Sequence, residues 1–466
     1  MQVKKQNRYG RLLKNIMLLF TGNFVSKVLS FFMVPLYTSI LSTSDYGIAD
    51  LITTTVLLVL PFFSLLMDES VMRFTLDKAF DTRQVFSIGI TISTIGFVAA
   101  MLLSPVIFLF ETLREYYWFI VFYYVVSWIY NIVSSYVRGM DKLALTTAAG
   151  LIHTFTYLLF NILFLLVLKI GVYGYLLAMN LSNLVAIIFL VLTTKLYKNF
   201  IPLLQLDTKL AKDMVRYSVP MIPNYISWWF NNCADRYMVS YFCGTSITGI
   251  YSVAYKIPTI LSSITSIFSS AWKISSVDNF GSQESIEFYN RTYKFYSGLL
   301  LIGAGALILI TKFLALLLFA NDFFAAWKIT PILIIAYTLS ALAQFIESIF
   351  NASKKTQTLF YASLIGAIVN IILNFVMIPI WGGIGAAIAT VIGYFTIWII
   401  DMFNAKKLFT MHYDIARILL CYVILILEIM AIYSESIEGY IIAIVGVISV
   451  LVINREVLSD IINLLS

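Results

Sequence analysis

Residues Asn224 to Lys256 read NYISWWFNNCADRYMVSYFCGTSITGIYSVAYK. The stretch is apolar and long enough to cross a bilayer, yet it carries Asp235, Arg236 and Lys256. Charges in lipid are expensive and face a water-filled path or a partner. Asn224, Ser227, Asn231 and Asp235 recur at helical spacing, which places them on one face of one helix. That face is the expected wall of a transport cavity.

Working outward, 61% of the 466 residues are hydrophobic and only 12% charged, and apolar runs near the length of a spanning helix recur along the chain. This composition excludes a soluble domain and predicts an all-α integral membrane protein. The basic N-terminus, MQVKKQNRYGRLLK, precedes an apolar run, but Asn23 and Lys27 interrupt that run and no small-residue cleavage site follows. It is expected to remain as the first span. Cys233, Cys243 and Cys421 fall in or beside apolar spans, and His153 and His412 are the only histidines. Neither a disulfide framework, a metal site nor a histidine triad is suggested.

About fourteen transmembrane helices are predicted, at 12–36, 46–67, 84–110, 116–137, 143–168, 172–193, 215–243, 247–270, 293–319, 328–350, 357–379, 384–402, 412–433 and 437–453. The count falls to twelve if the last two runs form a re-entrant hairpin. With the N-terminus in the cytoplasm, 24 of the 31 Lys and Arg residues lie in inside loops, and only Arg114, Lys169 and Lys328 lie outside. This bias predicts both termini in the cytoplasm. It also accounts for the net charge of +7 through topology and anionic lipid, so no nucleic-acid partner is implied.

Laid on itself with an offset near 200 residues, the chain repeats. Asp45-Tyr46-Gly47-Ile48 resembles Thr248-Gly249-Ile250, Val172-Tyr173-Gly174 resembles Gly383-Ile384-Gly385, and the turn Arg138-Gly139-Met140-Asp141-Lys142 matches Asn351-Ala352-Ser353-Lys354-Lys355. Two six-helix lobes, 1–193 and 215–404, are expected to relate by a pseudo-twofold along the membrane normal and to enclose a cavity. Residues 194–214 read as an amphipathic cytoplasmic linker. Residues 405–466 add two helices without repeat partners.

Polar stripes mark the candidate site. Span one carries Asn23, Ser26, Lys27 and Ser30; span four Tyr123, Ser127, Tyr130, Asn131 and Ser134; span ten Tyr337, Ser340, Gln344, Glu347 and Asn351. Such residues glue helices together or line a cavity. The charges within the stripes favour the cavity, with Asn23, Asn131, Asn231, Tyr255 and Gln344 as lining residues. By helical rise, Lys27, Arg236 and Lys256 each lie roughly 15–20 Å from the cytoplasmic side of a ~30 Å core. If Asp50 and Asp235 pair with them, this level is a neutral salt-bridged network; otherwise it binds an anion. Arg73 and Lys273 are either topology determinants or a phosphate-capturing pair at the cavity mouth. Glu347 and Asp235 are candidates to carry a coupling ion, H+ or Na+, unless the membrane potential acting on the bound charge drives transport. Pro61, Pro220, Pro223 and Pro258 are expected to interrupt spans two, seven and eight.

Asp235-Arg236-Tyr237-Met238, Gly244 and Thr248 through Ile257 resemble the middle signature of bacterial polysaccharide flippases of the multidrug/oligosaccharidyl-lipid/polysaccharide exporter superfamily. Pro35-Leu36-Tyr37 through Asp45-Tyr46-Gly47 and the Arg138–Lys142 turn are similar to its N-terminal motifs, so the resemblance covers essentially the whole chain. It implies a non-enzymatic flippase in the bacterial cytoplasmic membrane. The cargo would be an undecaprenyl-diphosphate-linked oligosaccharide for O-antigen or capsule, with polymerase and glycosyltransferase partners and the last two helices grooved for the polyprenyl tail. The alternatives are a cation-coupled multidrug antiporter of the same superfamily and a membrane polysaccharide polymerase. The longest outside loop, near residues 320–327, is too short to hold a catalytic domain.

Overall fold

The computed structural model describes residues 26–77, 79–278, 285–352, 357–406 and 413–457, and these form helices joined by turns, with no strand among them. Asn23 and the start of the first span lie outside the described residues. Nine described helices are long and apolar enough to cross a membrane, and Ser26–Ile40 and Ile437–Ile453 are shorter apolar helices. The protein is thus an all-α, multi-pass membrane protein. Two compact units divide the described residues, the first ending at Trp229 and the second beginning at Phe230.

The first unit opens with α1 (Ser26–Ile40). Ser42 starts α2 (Thr43–Ser64) through a capping box, accepting from the Asp45 amide while Asp45 accepts from its own. Span two does not continue to residue 67. Pro61 sits inside α2, and the helix ends just beyond it at Leu65 and Leu66, both with left-handed φ (51° and 50°), before α3 (Met67–Leu76) resumes in a new direction. Next come α4 (Thr82–Leu103), α5 (Tyr117–Gly139), α6 (Leu143–Asn161, running on into a π-helical turn) and α7 (Gly171–Thr194). The linker contains α8 (Thr208–Ser218), started by Asp207, whose carboxylate accepts from the amides of Lys209 and Leu210. Its buried face, Leu210, Met214 and Ser218, seats on α3, where the Ser70 hydroxyl donates to the Met214 carbonyl at 2.6 Å.

The unit boundary falls within α9 (Ile222–Ala254). Predicted span seven is interrupted at Pro220, as expected: α8 ends at Ser218 and α9 starts at Ile222. Pro220 and Pro223 occupy the 3-10 turn Val219–Met221 and the first turn of α9, where a missing amide costs nothing. A second break, within α9, lies at Gly244 (φ 84°, ψ 171°), a conformation almost closed to side-chain-bearing residues. Pro258 likewise begins α10 (Pro258–Asp278) after a turn at residues 255–257. There follow α11 (Ser285–Leu318), α12 (Thr330–Ala352), α13 (Gln357–Lys406), α14 (Ile415–Tyr433) and α15 (Ile437–Ile453). At 1.5 Å per residue the 50 residues of α13 would extend far beyond a ~30 Å core, and Gly382 (φ 57°) divides them into two helices. Gly244 and Gly382 stand side by side, since a Cβ on Gly382 would lie 3.8 Å from the Cys243 Sγ.

Candidate functional site

In the second unit, charged residues from the opening stretch converge on one tyrosine. Asp235 is 4% exposed. Its Oδ2 accepts hydrogen bonds from the hydroxyls of Tyr251 (2.5 Å) and Tyr255 (2.8 Å), and its Oδ1 accepts from the Arg236 amide (2.9 Å). Two hydroxyls and an amide replace the water that a buried carboxylate loses. The Arg236 guanidinium lies 5.0 Å from the centre of the Tyr255 ring and donates to the Asn232 carbonyl at 3.0 Å. Tyr255 therefore serves the acid through its hydroxyl and the base through its ring face. Lys256, half-buried, follows directly in the turn before α10. Arg236, Asp235 and Tyr255 thus gather around one point, and Asn231, one turn before Asp235, donates to the Ser363 carbonyl at 3.5 Å.

Several members of this centre escape sequence reading. The hydroxyl of Tyr394 donates to Asn232 Oδ1 at 3.2 Å. A buried amide chain lies on α13: Asn374 donates to Asn370 Oδ1 at 3.0 Å, and Asn370 to Thr390 Oγ1 at 3.4 Å, while Asn374 Oδ1 has no hydrogen-bond partner among the described residues. Thr390 stands beside Tyr251, which links the amides to Asp235. A carboxylate with amide and hydroxyl oxygens is a donor set suited to a proton or a hard cation. The four-residue spacing of Asn370 and Asn374 is the one signal the sequence offered.

Four residues of the α12 stripe have described side chains, and that of Asn351 lies outside the described residues. Between Leu333 and Phe350 the residues that are not buried are Tyr337, Ser340, Gln344 and Glu347. The accessible face of this helix is its polar face, opposite to what lipid would select. Gln344 is exposed and donates to Ser340 at 3.2 Å; Glu347 is half-buried. Lys273 lies on α10, but its side chain lies outside the described residues. Lys312 is held by Glu435 at 2.7 Å and by the Trp327 ring, 5.1 Å away, beside the turn between α14 and α15.

In the first unit Lys27 is exposed on α1, makes no ion pair with a described residue, and has Ser26 before it accepting from Thr154 at 3.0 Å. Asp50 and Asn131 are half-buried on α2 and α5. Arg73 is exposed on α3 with Asp77 3.7 Å away, one turn along the same helix. Close to it, the Tyr225 hydroxyl donates to Glu69 at 2.7 Å, and burial together with the Glu69 charge pushes the Asp68 carboxyl up to about 6. Sequence reading passed over this acidic pair. It also passed over a cluster of tyrosine rings, Tyr37, Tyr46, Tyr157 and Tyr175, in which Tyr37 meets Tyr175 edge-on at 5.0 Å.

A multi-pass helical protein with acids, bases and amides buried among its helices has the architecture of a transporter. The chain belongs to the family described as polysaccharide biosynthesis protein, whose profile matches residues 12–272, and a second profile, MatE, matches residues 220–376. No curated protein sequence matches it. Among solved structures it is similar to the lipid II flippase MurJ in an inward closed conformation, with 17% identity and a TM-score of 0.72 over 96% of this chain and 100% of that one. It is similar also to an inward-facing multidrug resistance MATE family transporter of the MOP superfamily, with 14% identity and a TM-score of 0.68 over 82% of this chain and 94% of that one. It is similar as well to a MOP superfamily transporter from Pyrococcus furiosus Vc1, described by the reverse polarity of its binding pocket, with 15% identity and a TM-score of 0.58 over 85% of this chain and 94% of that one. The fold is that of MOP superfamily transporters.

Proposed function

We propose that this protein is a flippase that carries an undecaprenyl-diphosphate-linked oligosaccharide repeat unit from the inner to the outer leaflet of the bacterial cytoplasmic membrane, for a surface polymer such as O-antigen or capsule. Polymerase and glycosyltransferase of that pathway would be its partners. The observation that carries this reading is the accessible polar face of α12 in the same unit as Arg236 and Lys256. A hydrated glycan needs polar walls, a diphosphate needs cations, and a polyprenyl tail needs lipid beside the site. The match to polysaccharide biosynthesis proteins supports it.

In this reading two six-helix lobes rock about the cargo. Arg73 and Lys273 meet the diphosphate at the mouth, and Lys27, Arg236 and Lys256 hold it midway. Asp235, with Thr390, Asn370 and Asn374 near it, would hold a coupling H+ or Na+, and Glu347 is a second candidate. The MatE match over residues 220–376 and the buried Asp235 favour one alternative, a cation-coupled multidrug antiporter.

The test is complementation of surface polysaccharide in a strain lacking the gene, with Lys27→Ala, Arg236→Ala and Lys256→Ala at matched membrane abundance. Loss of polymer with lipid-linked repeat unit accumulating on the cytoplasmic side is the expected result. Normal polymer from all three variants would sink the anion site and favour the antiporter.

A further inference from the structure

At one end of the second unit a cleft of about 530 Å³ opens between α11, α14 and the segment following α15. It stands apart from the Asp235 centre in residues and in helices. Its floor is a built network. The Arg417 side chain is only 8% exposed; it donates to Ser297 of α11 at 2.7 Å and to Asn454 at the end of α15, and it lies 3.3 Å from Asp414. Ser297 and Asn454 are themselves buried, and a Cβ on Gly298 would strike Val457 at 2.6 Å, so α11 lies close against this floor.

The walls carry both signs of charge in equal number. Arg291, Lys294 and Arg417 are matched by Glu287, Asp414 and Glu456. Lys294 and Glu456 pair across the opening, but both are substantially exposed, so water screens the pair and it holds only weakly. They can exchange partners at little cost. One turn from the cleft, each helix shows exposed apolar surface: Leu299 after Phe295 on α11, Leu420 after Arg417 on α14, and Val452 on α15, one turn before Glu456. Polar cleft and apolar tracks together describe an amphiphile with its head in the cleft and its chains along the helices.

We infer that this cleft binds the head of a phosphoethanolamine lipid, with the phosphate toward Arg291, Lys294 and Arg417 and the ammonium toward Glu287, Asp414 and Glu456. A diphosphate head, or the glycerol head of an anionic phospholipid, brings negative charge and no cation for the three acids. A choline head brings a cation with no N–H to donate to carboxylates, whereas an ammonium donates three hydrogen bonds. Basic pockets between spanning helices are established receptors for lipid heads, and the acids here tune one toward a zwitterion.

The experiment uses the full-length protein in mild detergent, titrated separately with dioleoyl phosphatidylethanolamine, phosphatidylglycerol and phosphatidylcholine, with native mass spectrometry counting retained lipid. Wild type is expected to retain one phosphatidylethanolamine per chain where the other two are stripped. Arg291→Glu with Lys294→Glu should weaken retention about tenfold or more. Glu287→Gln with Glu456→Gln, nearly isosteric and on exposed positions, should shift preference to phosphatidylglycerol. Equal retention of all three lipids, a wild-type preference for phosphatidylglycerol, or retention unchanged in both double variants would each overturn the assignment.

Discussion

Tyr255 is the residue whose replacement tests the candidate site most directly, because its hydroxyl and its ring have separate jobs. Tyr255→Phe deletes a hydroxyl that donates to Asp235 at 2.8 Å and meets the Tyr251 hydroxyl at 2.9 Å, while leaving a ring under Arg236. A hydrogen bond to a charged acceptor contributes about 1.5–3 kcal/mol, so the unfolding free energy should fall by roughly that amount. Tyr255→Leu also removes the cation–π contact, worth ~0.5–2 kcal/mol. It loses as well the edge-on contacts with Tyr251 at 5.2 Å and Tyr337 at 6.1 Å, at ~0.5–1.5 kcal/mol each. The order should therefore be wild type, Phe, Leu, with two steps of comparable size. Equilibrium unfolding in mixed micelles, followed by tryptophan fluorescence, measures both steps. A double-mutant cycle with Asp235→Asn then isolates the hydroxyl–carboxylate term, expected at ~0.5–3 kcal/mol. If Tyr255→Phe costs as much in the Asp235→Asn background as in the wild type, the hydroxyl does not serve the carboxylate and the reasoning fails.

Gly244→Ala should cost ~1–3 kcal/mol by the same unfolding measurement, since φ 84° with ψ 171° is strained for any residue with a Cβ even though no neighbour fills the space; an unchanged midpoint would refute that backbone conformation. Asp68 holds its proton more tightly folded than unfolded, so the stability this confers is present below about pH 4 and lost as pH rises through about 6. Asp68→Asn should consequently stabilise the protein above about pH 7, on the order of 3 kcal/mol, and give no gain below about pH 4, which thermal unfolding across pH will check. Glu428 is 1% exposed on α14, near Gly305 and Gly446, and neither carboxyl oxygen has a hydrogen-bond partner among the described residues. Glu428→Met should raise the melting temperature, because an apolar side chain of similar size removes an unsatisfied buried group, and a fall would show that the carboxyl has a partner.

The fold class was legible because apolar run length is a one-dimensional property, and the α12 stripe was legible because positions three and four apart share a face whatever surrounds the helix. What could not be read were meetings between distant positions. Tyr251, Thr390, Asn370 and Asn374 each look like ordinary helix glue, and only packing shows that they continue one polar path from Asp235. Prolines marked where the spans break, but not the kind of break. A proline in an apolar run marks either a kink or a first turn, and the 3-10 turn Val219–Met221 makes Pro220 and Pro223 the latter.

The central charges show the same limit at its sharpest. Asp235 and Arg236 are adjacent on a helix, so their side chains leave the axis about 100° apart and do not face one another. Reading them as a pair required a bridge, and the bridge lies twenty residues on, beyond the break at Gly244. That break returns Tyr251 and Tyr255 to the carboxylate. The glycine therefore does more than join two helices: its backbone conformation brings a hydroxyl to the acid and a ring to the base. On this reasoning Gly244→Ala should weaken the Tyr255–Asp235 coupling as well as the fold, and a cycle repeated in that background would show a smaller coupling even where the helices still form.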